Sequence, residues 1–100
     1  MKNELKFEWD SNKNRINIDK HGVSFEEAST VFYDECGILF DDPDHSEDEE
    51  RFNLIGFSTS LKLLIVCHCY RESNSTIRII SARKATKNEG EQYKKINKGW

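Results

Sequence analysis

The spacing of hydrophobic residues changes several times along the chain, and each change predicts a different element of secondary structure. Residues 5–10 alternate strictly between apolar and polar side chains, a pattern typical of a half-buried strand. The polar residues 11 to about 21 predict a short helix that ends at Gly22, because glycine readily adopts the left-handed conformation found after a helix C-terminus. Residues 24–27 have the sequence of a capping box, and apolar residues at helical spacing extend a second predicted helix to about residue 33.

Four apolar segments in the remainder of the chain predict strands. They cover residues 36–40, 51–59, 63–71 and 77–84, and the last two are rich in β-branched and aliphatic residues. A polar break separates those two strands and suits a turn, which predicts an antiparallel hairpin at the centre of the sheet. A second capping-box pattern at residues 86–89 predicts a closing helix.

The predicted order of elements is β-α-α-β-β-β-β-α, in a single domain over residues 1–100. Strands that follow one another through short turns favour an α+β fold. We expect an antiparallel sheet with two N-terminal helices packed on one side and a C-terminal helix. The pattern assigns no helix to cover the other side of the sheet. A partly open face is therefore where we expect a functional site.

Composition indicates a folded, soluble protein, with 36% hydrophobic and 33% charged residues. No apolar run approaches the roughly 20 residues of a membrane helix, and the first residues lack the hydrophobic region of a secretory signal, so a cytoplasmic location is expected.

The three cysteines give no disulfide framework. Although Cys67, His68 and Cys69 are consecutive, alternate residues of a strand lie on opposite faces. They therefore predict no zinc site, and no cofactor is expected.

Charge is divided unevenly between the two parts of the chain. Residues 1–60 hold 6 basic and 15 acidic side chains, a net of −9, whereas residues 61–100 hold 9 basic and 3 acidic ones, a net of +6. The basic region is suited to a polyanion. Residues 41–50 contain seven carboxylates and predict an exposed loop. Metal binding by Asp42, Asp44 and His45 is an alternative interpretation of this loop, but nothing in the sequence enforces a coordination geometry.

The central hairpin carries the residues with the most evident chemistry. If Arg71 lies opposite Arg78, the alternation of side chains brings four polar residues to one face: His68, Tyr70, Ser81 and Arg83. A histidine can transfer protons near neutral pH, and a guanidinium can stabilise the charge that develops on a phosphate. These groups are the components of a metal-free ribonuclease. The structural alternatives are a histidine bonded within its strand, arginines at a solvated hairpin end, and a salt bridge from Arg83 or Lys84 to the acidic region.

Two longer segments and several shorter ones support a more specific interpretation. The long ones are His-Gly-Val-Ser-Phe-Glu-Glu-Ala at residues 21–28 and Arg-Ile-Ile-Ser-Ala-Arg-Lys-Ala at residues 78–85. Shorter ones are Phe-Glu-Trp-Asp at 7–10, Asp-Pro-Asp-His at 42–45 and Glu-Arg-Phe at 50–52. In these segments, which extend over nearly the whole chain, the sequence resembles the BrnT family, the toxin half of BrnT/BrnA type II toxin–antitoxin modules.

The resemblance implies a RelE-like fold and an endoribonuclease that cleaves mRNA without a metal ion, either on the ribosome or free. It implies that the open sheet face and the closing helix form the RNA site. The catalytic residues that it implies are His68, Arg71, Arg83 and Tyr93, with His68 as the proton carrier. The phosphate contacts that it implies are Arg78, Lys84 and Lys87.

The resemblance also implies a BrnA-like antitoxin that neutralises the toxin in a hetero-oligomer and contacts operator DNA through its own domain. The acidic region is then expected to dock basic segments of the antitoxin, which leaves the basic region for RNA. A competing interpretation is a non-catalytic RNA- or protein-binding module that descends from a toxin. A metal-dependent enzyme built on His45 and the neighbouring carboxylates is a third. An active toxin would stop cell growth unless its antitoxin were co-expressed. This observation separates the endoribonuclease from the non-catalytic module.

Overall fold

The computed structural model describes residues 5–42 and 49–98. In chain order, its elements are β1 (Lys6–Glu8), α1 (Ser11–His21), α2 (Phe25–Thr30), a 3-10 turn (Val31–Tyr33), β2 (Ile38–Asp41), β3 (Phe52–Phe57), β4 (Leu63–Arg71), β5 (Thr76–Lys84) and α3 (Lys87–Asn97). The predicted α+β class and the predicted order of elements are confirmed. None of these helices combines the length and the hydropathy that a membrane crossing requires, in the ranges that the structure describes.

The strands of the described residues form one sheet in the order β1-β5-β4-β3-β2. Strands β2 to β5 pair antiparallel with their neighbours, as expected for strands joined by short turns. Strand β1 differs, because it pairs with β5 in parallel. The whole of the intervening chain separates β1 from β5, so no tight turn requires them to run in opposite directions.

Local capping signals fix both N-terminal helices. Asp10 accepts hydrogen bonds from two backbone amides of the first turn of α1, and Gly22 ends that helix with a φ of 71°. Ser24 caps α2 by accepting a bond from the amide of Glu27. The Glu27 carboxylate does not complete the predicted capping box; it instead accepts a hydrogen bond from the hydroxyl of Ser58, at 2.8 Å. This contact ties α2 to the turn after β3.

The two faces of the sheet are covered to different extents. Helix α2 packs on the side that we call the covered face, where the larger hydrophobic cluster includes Phe25, Ala28, Val31, Leu64, Val66 and Ile79. Helix α1 contacts the outer edge of β5 through Asn17. The other side, which we call the open face, is covered at one end by α3. There Tyr93 packs with Ile55 and Ile65 in a smaller cluster. The expected partly open face therefore exists, and α3 lies on it.

A β-bulge divides the central hairpin. Cys67 pairs with Ser81, but the next residue, His68, pairs with Ile79. Ile80 therefore has no partner on β4, and the side-chain alternation of β5 changes face at this point. As a result, the even-numbered residues of β5 before the bulge and the odd-numbered residues after it lie on the same face of the sheet.

The last part of the outer edge of β5 forms hydrogen bonds with a side chain and not with a strand. Strand β1 reaches only as far as Arg78. Beyond it, the buried amide of Asn17 donates to the carbonyl of Ala82 at 2.8 Å and accepts from its N–H at 3.2 Å. The same Asn17 nitrogen also donates to the carbonyl of Val23 at 2.9 Å. We call this set of bonds the Asn17 clasp; it attaches α1 to the edge of the sheet.

Candidate functional site

A groove of about 630 Å³ lies on the open face, between the sheet and the N-terminal turn of α3. Its polar lining includes residues on or next to three adjacent strands and one residue of the helix: Arg51, Asn53, Cys67, Ser81, Arg83 and Glu89. Pairing of Asn53 with Cys67 and of Cys67 with Ser81 sets these three side chains in a row across the sheet. We call this cavity the open-face groove.

A doubly hydrogen-bonded ion pair forms one wall of the open-face groove. The Nη1 and Nη2 atoms of Arg83 each donate to a different carboxylate oxygen of Glu89, both at 3.0 Å. Glu89 also accepts the backbone N–H of Thr86 at 2.8 Å, which completes the predicted capping box of α3. The bonds from Arg83, followed by those of the cap, lower the pKa of Glu89 to about 2, and the same pairing raises the pKa of Arg83.

This arrangement leaves part of the Arg83 guanidinium available. A guanidinium has five N–H groups, and Arg83 uses three of them, two on Glu89 and one on the carbonyl of Lys84 at 3.2 Å. The two others have no partner among the residues that the structure describes, and the side chain is 42% exposed. Glu89 therefore fixes the orientation of the fork while leaving donors for a phosphate oxygen.

The thiol of Cys67 lies in the floor of the groove as a neutral group. Its Sγ donates to the Asp42 carboxylate at 3.4 Å. Burial and the bond to Asp42 raise the pKa of Cys67 to about 12. Because the thiolate is the nucleophilic form of cysteine, this residue is not suited to covalent catalysis.

Arg71 does not line the open-face groove. On β4, Arg71 is six positions beyond Ile65, the partner of Arg83, which corresponds to about 20 Å along the strand. Arg71 contacts Glu49 at 3.7 Å, and Glu49 also contacts Arg51 at 3.4 Å. The structure therefore does not bring Arg71 and Arg83 to one site.

The predicted grouping of His68 with Arg83 is wrong. It assumed that Arg71 lies opposite Arg78, whereas Arg71 pairs with Thr76 and Arg78 pairs with Cys69. Together with the bulge, this register puts Arg83 on the open face and His68 on the covered face. At the turn the pairing differs from the assumed one by two residues, which keeps each side chain on its expected face. The bulge then changes the pairing by one residue, and this moves Ser81 and Arg83 to the face opposite His68.

His68 is part of the hydrophobic core. Its side chain is fully buried, and its ring lies edge-on to Phe32 with 4.7 Å between the ring centroids. Its Nδ1 is 3.0 Å from the carbonyl of Val66, and its Nε2 is 3.3 Å from the hydroxyl of Tyr70. Burial lowers the pKa of His68, although the bond to Val66 opposes this. A histidine in this environment is neutral and out of reach of RNA.

The three predicted phosphate contacts lie outside the groove. Arg78 forms an ion pair with Glu8 at 2.9 Å, at the junction of β1 and β5. Lys84 is exposed, and its pairing with Leu64 directs it to the covered face. Lys87 is exposed in the first turn of α3. None of the three lines the open-face groove.

Tyr93 is buried beside the groove and anchors α3. Its hydroxyl donates to the Asp34 carboxylate at 2.7 Å, and Asp34 also accepts the backbone amides of Phe57 and Cys36 at 2.8 and 2.9 Å. Burial and the Asp34 carboxylate raise the pKa of Tyr93. Burial also acts to raise the pKa of Asp34, but these three hydrogen bonds outweigh it and lower that pKa. A Cβ at Gly56 would come within 3.0 Å of Asp34, so glycine leaves room for this carboxylate.

His21 lines the open-face groove and was missed by the sequence analysis. It is the last residue of α1 and is exposed, with Gly22 immediately after it. The available signals were its position in the run of residues 21–28 that resembles the BrnT family and its spacing of four from Asn17, which puts both on one helix face. Neither signal shows which strand that face meets.

No group of three or more histidine, cysteine, aspartate or glutamate side chains has metal-binding geometry within residues 5–42 and 49–98. Of the residues considered for a metal site, Asp44 and His45 lie outside the described residues. Asp42 is described, and its carboxylate accepts the Cys67 thiol.

The fold and the groove define a small α+β protein that presents an oriented guanidinium on the open face of its sheet. A family model described as "Ribonuclease toxin, BrnT, of type II toxin-antitoxin system" matches residues 9–89, so this chain belongs to the BrnT toxin family. The match confirms the resemblance found in the sequence, and membership implies an antitoxin partner.

Among solved structures, the chain is similar to the ribonuclease toxin BrnT of Brucella abortus, known from a crystal structure at 1.1 Å resolution. The two share 24% identity with a TM-score of 0.63, and the alignment covers 84% of this chain and 100% of that one. This likeness supports the fold. No curated protein sequence matches the chain.

The Arg83–Glu89 pair predicts a specific dependence of stability on pH. Because the pKa of Glu89 falls from 4.5 to about 2 on folding, its contribution is complete above pH 4.5 and is lost as the pH falls towards 2. Glu89→Gln is expected to lower the free energy of unfolding by about 1 kcal/mol at pH 7, the usual effect of losing a helix cap. Urea denaturation at several pH values should show this difference shrinking between pH 4.5 and 2. A difference that stays constant with pH would contradict the pairing.

Proposed function

We propose that this protein is an endoribonuclease toxin that cleaves mRNA in the open-face groove without a metal ion. The observation that carries the proposal is the Arg83 guanidinium, which Glu89 orients and which keeps two N–H groups for a ligand. Family membership supplies the class of activity. The groove supplies a place on the sheet where a phosphate can meet fixed donors.

The chemistry of RNA cleavage suits these groups. Attack of a ribose 2′-hydroxyl on the adjacent phosphorus concentrates negative charge on the phosphate oxygens, and fixed donors lower the energy of that state. Arg83 provides a planar fork for those oxygens, and Arg51 lines the same groove. A guanidinium remains charged at any physiological pH, so it can perform this role in place of a cation.

We further propose that the protein acts in the cytoplasm and is neutralised by a BrnA-like antitoxin. Strand β2 is an edge of the sheet, and Leu39 and Phe40 on it are 51% and 41% exposed. The nearby carboxylates of Asp41 and Glu50 are also exposed. A strand edge that no other strand of residues 5–42 and 49–98 pairs with, and that carries apolar and acidic side chains, suits a basic, partly apolar antitoxin segment. Contact with operator DNA would then be made by the antitoxin.

A second candidate is a non-catalytic RNA- or protein-binding module. The observation that favours it is the separation of the predicted catalytic set, since Arg71 and His68 lie away from Arg83. Under this alternative, the groove binds RNA but leaves it intact.

Expression in a host cell separates the two candidates. We expect induction of the wild-type chain to arrest growth and to produce new mRNA ends, and co-expression of the antitoxin to prevent both. Purified protein should cleave RNA at an undiminished rate in excess EDTA. A well-folded sample that binds RNA but leaves it intact, with and without ribosomes, would favour the binding module. Loss of cleavage in EDTA, restored by a divalent cation, would contradict metal independence.

A further inference from the structure

His21 lines two neighbouring cavities. It lines the open-face groove and also a smaller cleft of about 180 Å³ on the outer side of β5, and Ile80 and Ser81 line both cavities. Lys13 and Lys20 line the smaller cleft. An RNA strand that crosses the edge of the sheet at the bulge would therefore pass His21, with cationic side chains on both sides of it.

The position of His21 is set by the Asn17 clasp. Residues four apart lie on the same face of a helix, so His21 follows Asn17 one turn later and is directed to the same edge of β5. Asn17 bonds to Ala82 on one side and to Val23, two residues after His21, on the other. In the sequence, His21 lies between Asn17 and Val23. The hydrogen bonds of Asn17 to Val23 and Ala82 fix the end of α1, although the His21 side chain itself is exposed.

The other ionisable groups of the groove are unsuited to proton transfer near neutral pH. Those that line the groove with His21 are Asp42 just after β2, Arg51 just before β3, Cys67 on β4, Arg83 on β5 and Glu89 on α3. The pKa of Glu89 is about 2 and that of Cys67 is about 12, because of their partners and burial. A guanidinium has no atom that accepts a proton, and the Asp42 carboxylate accepts a hydrogen bond from the Cys67 thiol. Among the described lining residues, His21 is the one with an imidazole, the side chain that most often transfers protons in catalysis.

We propose that His21 is the general base of RNA cleavage, a role that rests on the ribonuclease function proposed above. A ring nitrogen of neutral His21 removes the proton of the ribose 2′-hydroxyl. The resulting oxygen attacks the adjacent phosphorus, the bond from phosphorus to the 5′-oxygen breaks, and a 2′,3′-cyclic phosphate forms. The 5′-oxygen leaves with a proton taken from water, and His21 returns its proton to solvent. Arg83 binds the non-bridging phosphate oxygens during this step.

The test compares the wild type with His21→Gln, His21→Ala and a control, Asp19→Asn, in single-turnover cleavage of a short RNA. Asp19 is an exposed residue of the same helix and lines neither cavity. We expect His21→Gln to cleave at least about 100-fold more slowly, the usual contribution of general base catalysis, with an RNA dissociation constant within about twofold of the wild type. The rise of the wild-type rate with pH should disappear. Added imidazole should partly restore cleavage by His21→Ala, and Asp19→Asn should behave as the wild type.

The outcomes separate this role from the proposed function. If the wild type cleaves RNA, Arg83→Ala is impaired and His21→Gln retains the wild-type rate and pH profile, the general-base role is overturned and the ribonuclease function stands. A weaker dissociation constant with an unchanged maximal rate would make His21 a binding residue and would also overturn the role. If the wild type does not cleave RNA at all, the ribonuclease function fails and the role of His21 fails with it. Circular dichroism of each variant confirms that the fold is retained.

Discussion

Alanine in place of Arg83 is expected to slow RNA cleavage by about 10²- to 10³-fold, the usual effect of removing one fixed donor from a developing negative charge. The expected loss is in the rate of the chemical step, because the oriented fork matters most when the phosphate carries its greatest charge. Arg83→Lys should restore little, since an ammonium cannot bond to Glu89 and to a phosphate oxygen with the same fixed geometry. The measurement is single-turnover cleavage, together with growth of cells that express each variant.

The matched control for Arg83→Ala is Lys62→Ala, which removes one positive charge from an exposed position that does not line the groove. If Arg83 acts only through the net charge of the basic region, both variants would weaken RNA binding equally, and binding at low salt would recover cleavage. Cleavage by Arg83→Ala within about threefold of the wild type would remove Arg83 from the mechanism.

The largest expected effect on stability comes from Asp34. Alanine at this position leaves the hydroxyl of Tyr93 and the backbone amides of Cys36 and Phe57 without their shared acceptor. We expect the free energy of unfolding to fall by about 3 kcal/mol, because hydrogen bonds to a charged group are worth about 1.5–3 kcal/mol each and water replaces only part of them. Urea denaturation at pH 7 measures this difference.

Tyr93→Phe provides the comparison for Asp34→Ala and also tests the predicted role of Tyr93. It removes one of the three donors to Asp34 while the ring keeps its packing, so a smaller loss of about 1–2 kcal/mol is expected. If the hydroxyl has a structural role only, cleavage at a temperature where the variant is fully folded should remain near the wild-type rate. An Asp34→Ala variant within about 0.5 kcal/mol of the wild type would contradict the structural role of this carboxylate.

The parts of the fold that depend on local chemistry were predictable from the sequence. Strand β4 was predicted over the residues that it occupies, because a long β-branched and aliphatic run has few other stable conformations. The ends of α1 and the start of α3 were predictable for the same reason. Gly22 and Thr86 act on backbone groups within a few residues of themselves.

The arrangement of the site was not predictable, because it depends on register. The bulge at Ile80 leaves no clear mark in the sequence, yet it decides that Arg83 faces the groove. His68 shows the consequence: the same alternation that seemed to place it beside Arg83 buries it in the core.

Contacts between residues that are far apart in the sequence could not be predicted either. Glu89 was identified as a capping residue, but its bonds to Arg83 depend on how α3 folds back on the sheet. His21 lines the groove, and the helix that carries it is attached to β5 by Asn17, whose partner Ala82 is 65 residues away in the chain. Helical spacing alone cannot supply a contact of that kind.

The most direct test of the groove as the RNA-cleavage site is the binding of a short RNA that carries 2′-O-methyl groups and cannot be cleaved, followed by amide chemical shifts in NMR spectra of the ¹⁵N-labelled protein. We predict that the shifts change most at Asn53, Cys67, Ser81 and Arg83, on the open face. Changes confined to the distant end of β4 around Arg71, with the groove residues unaffected, would contradict this location.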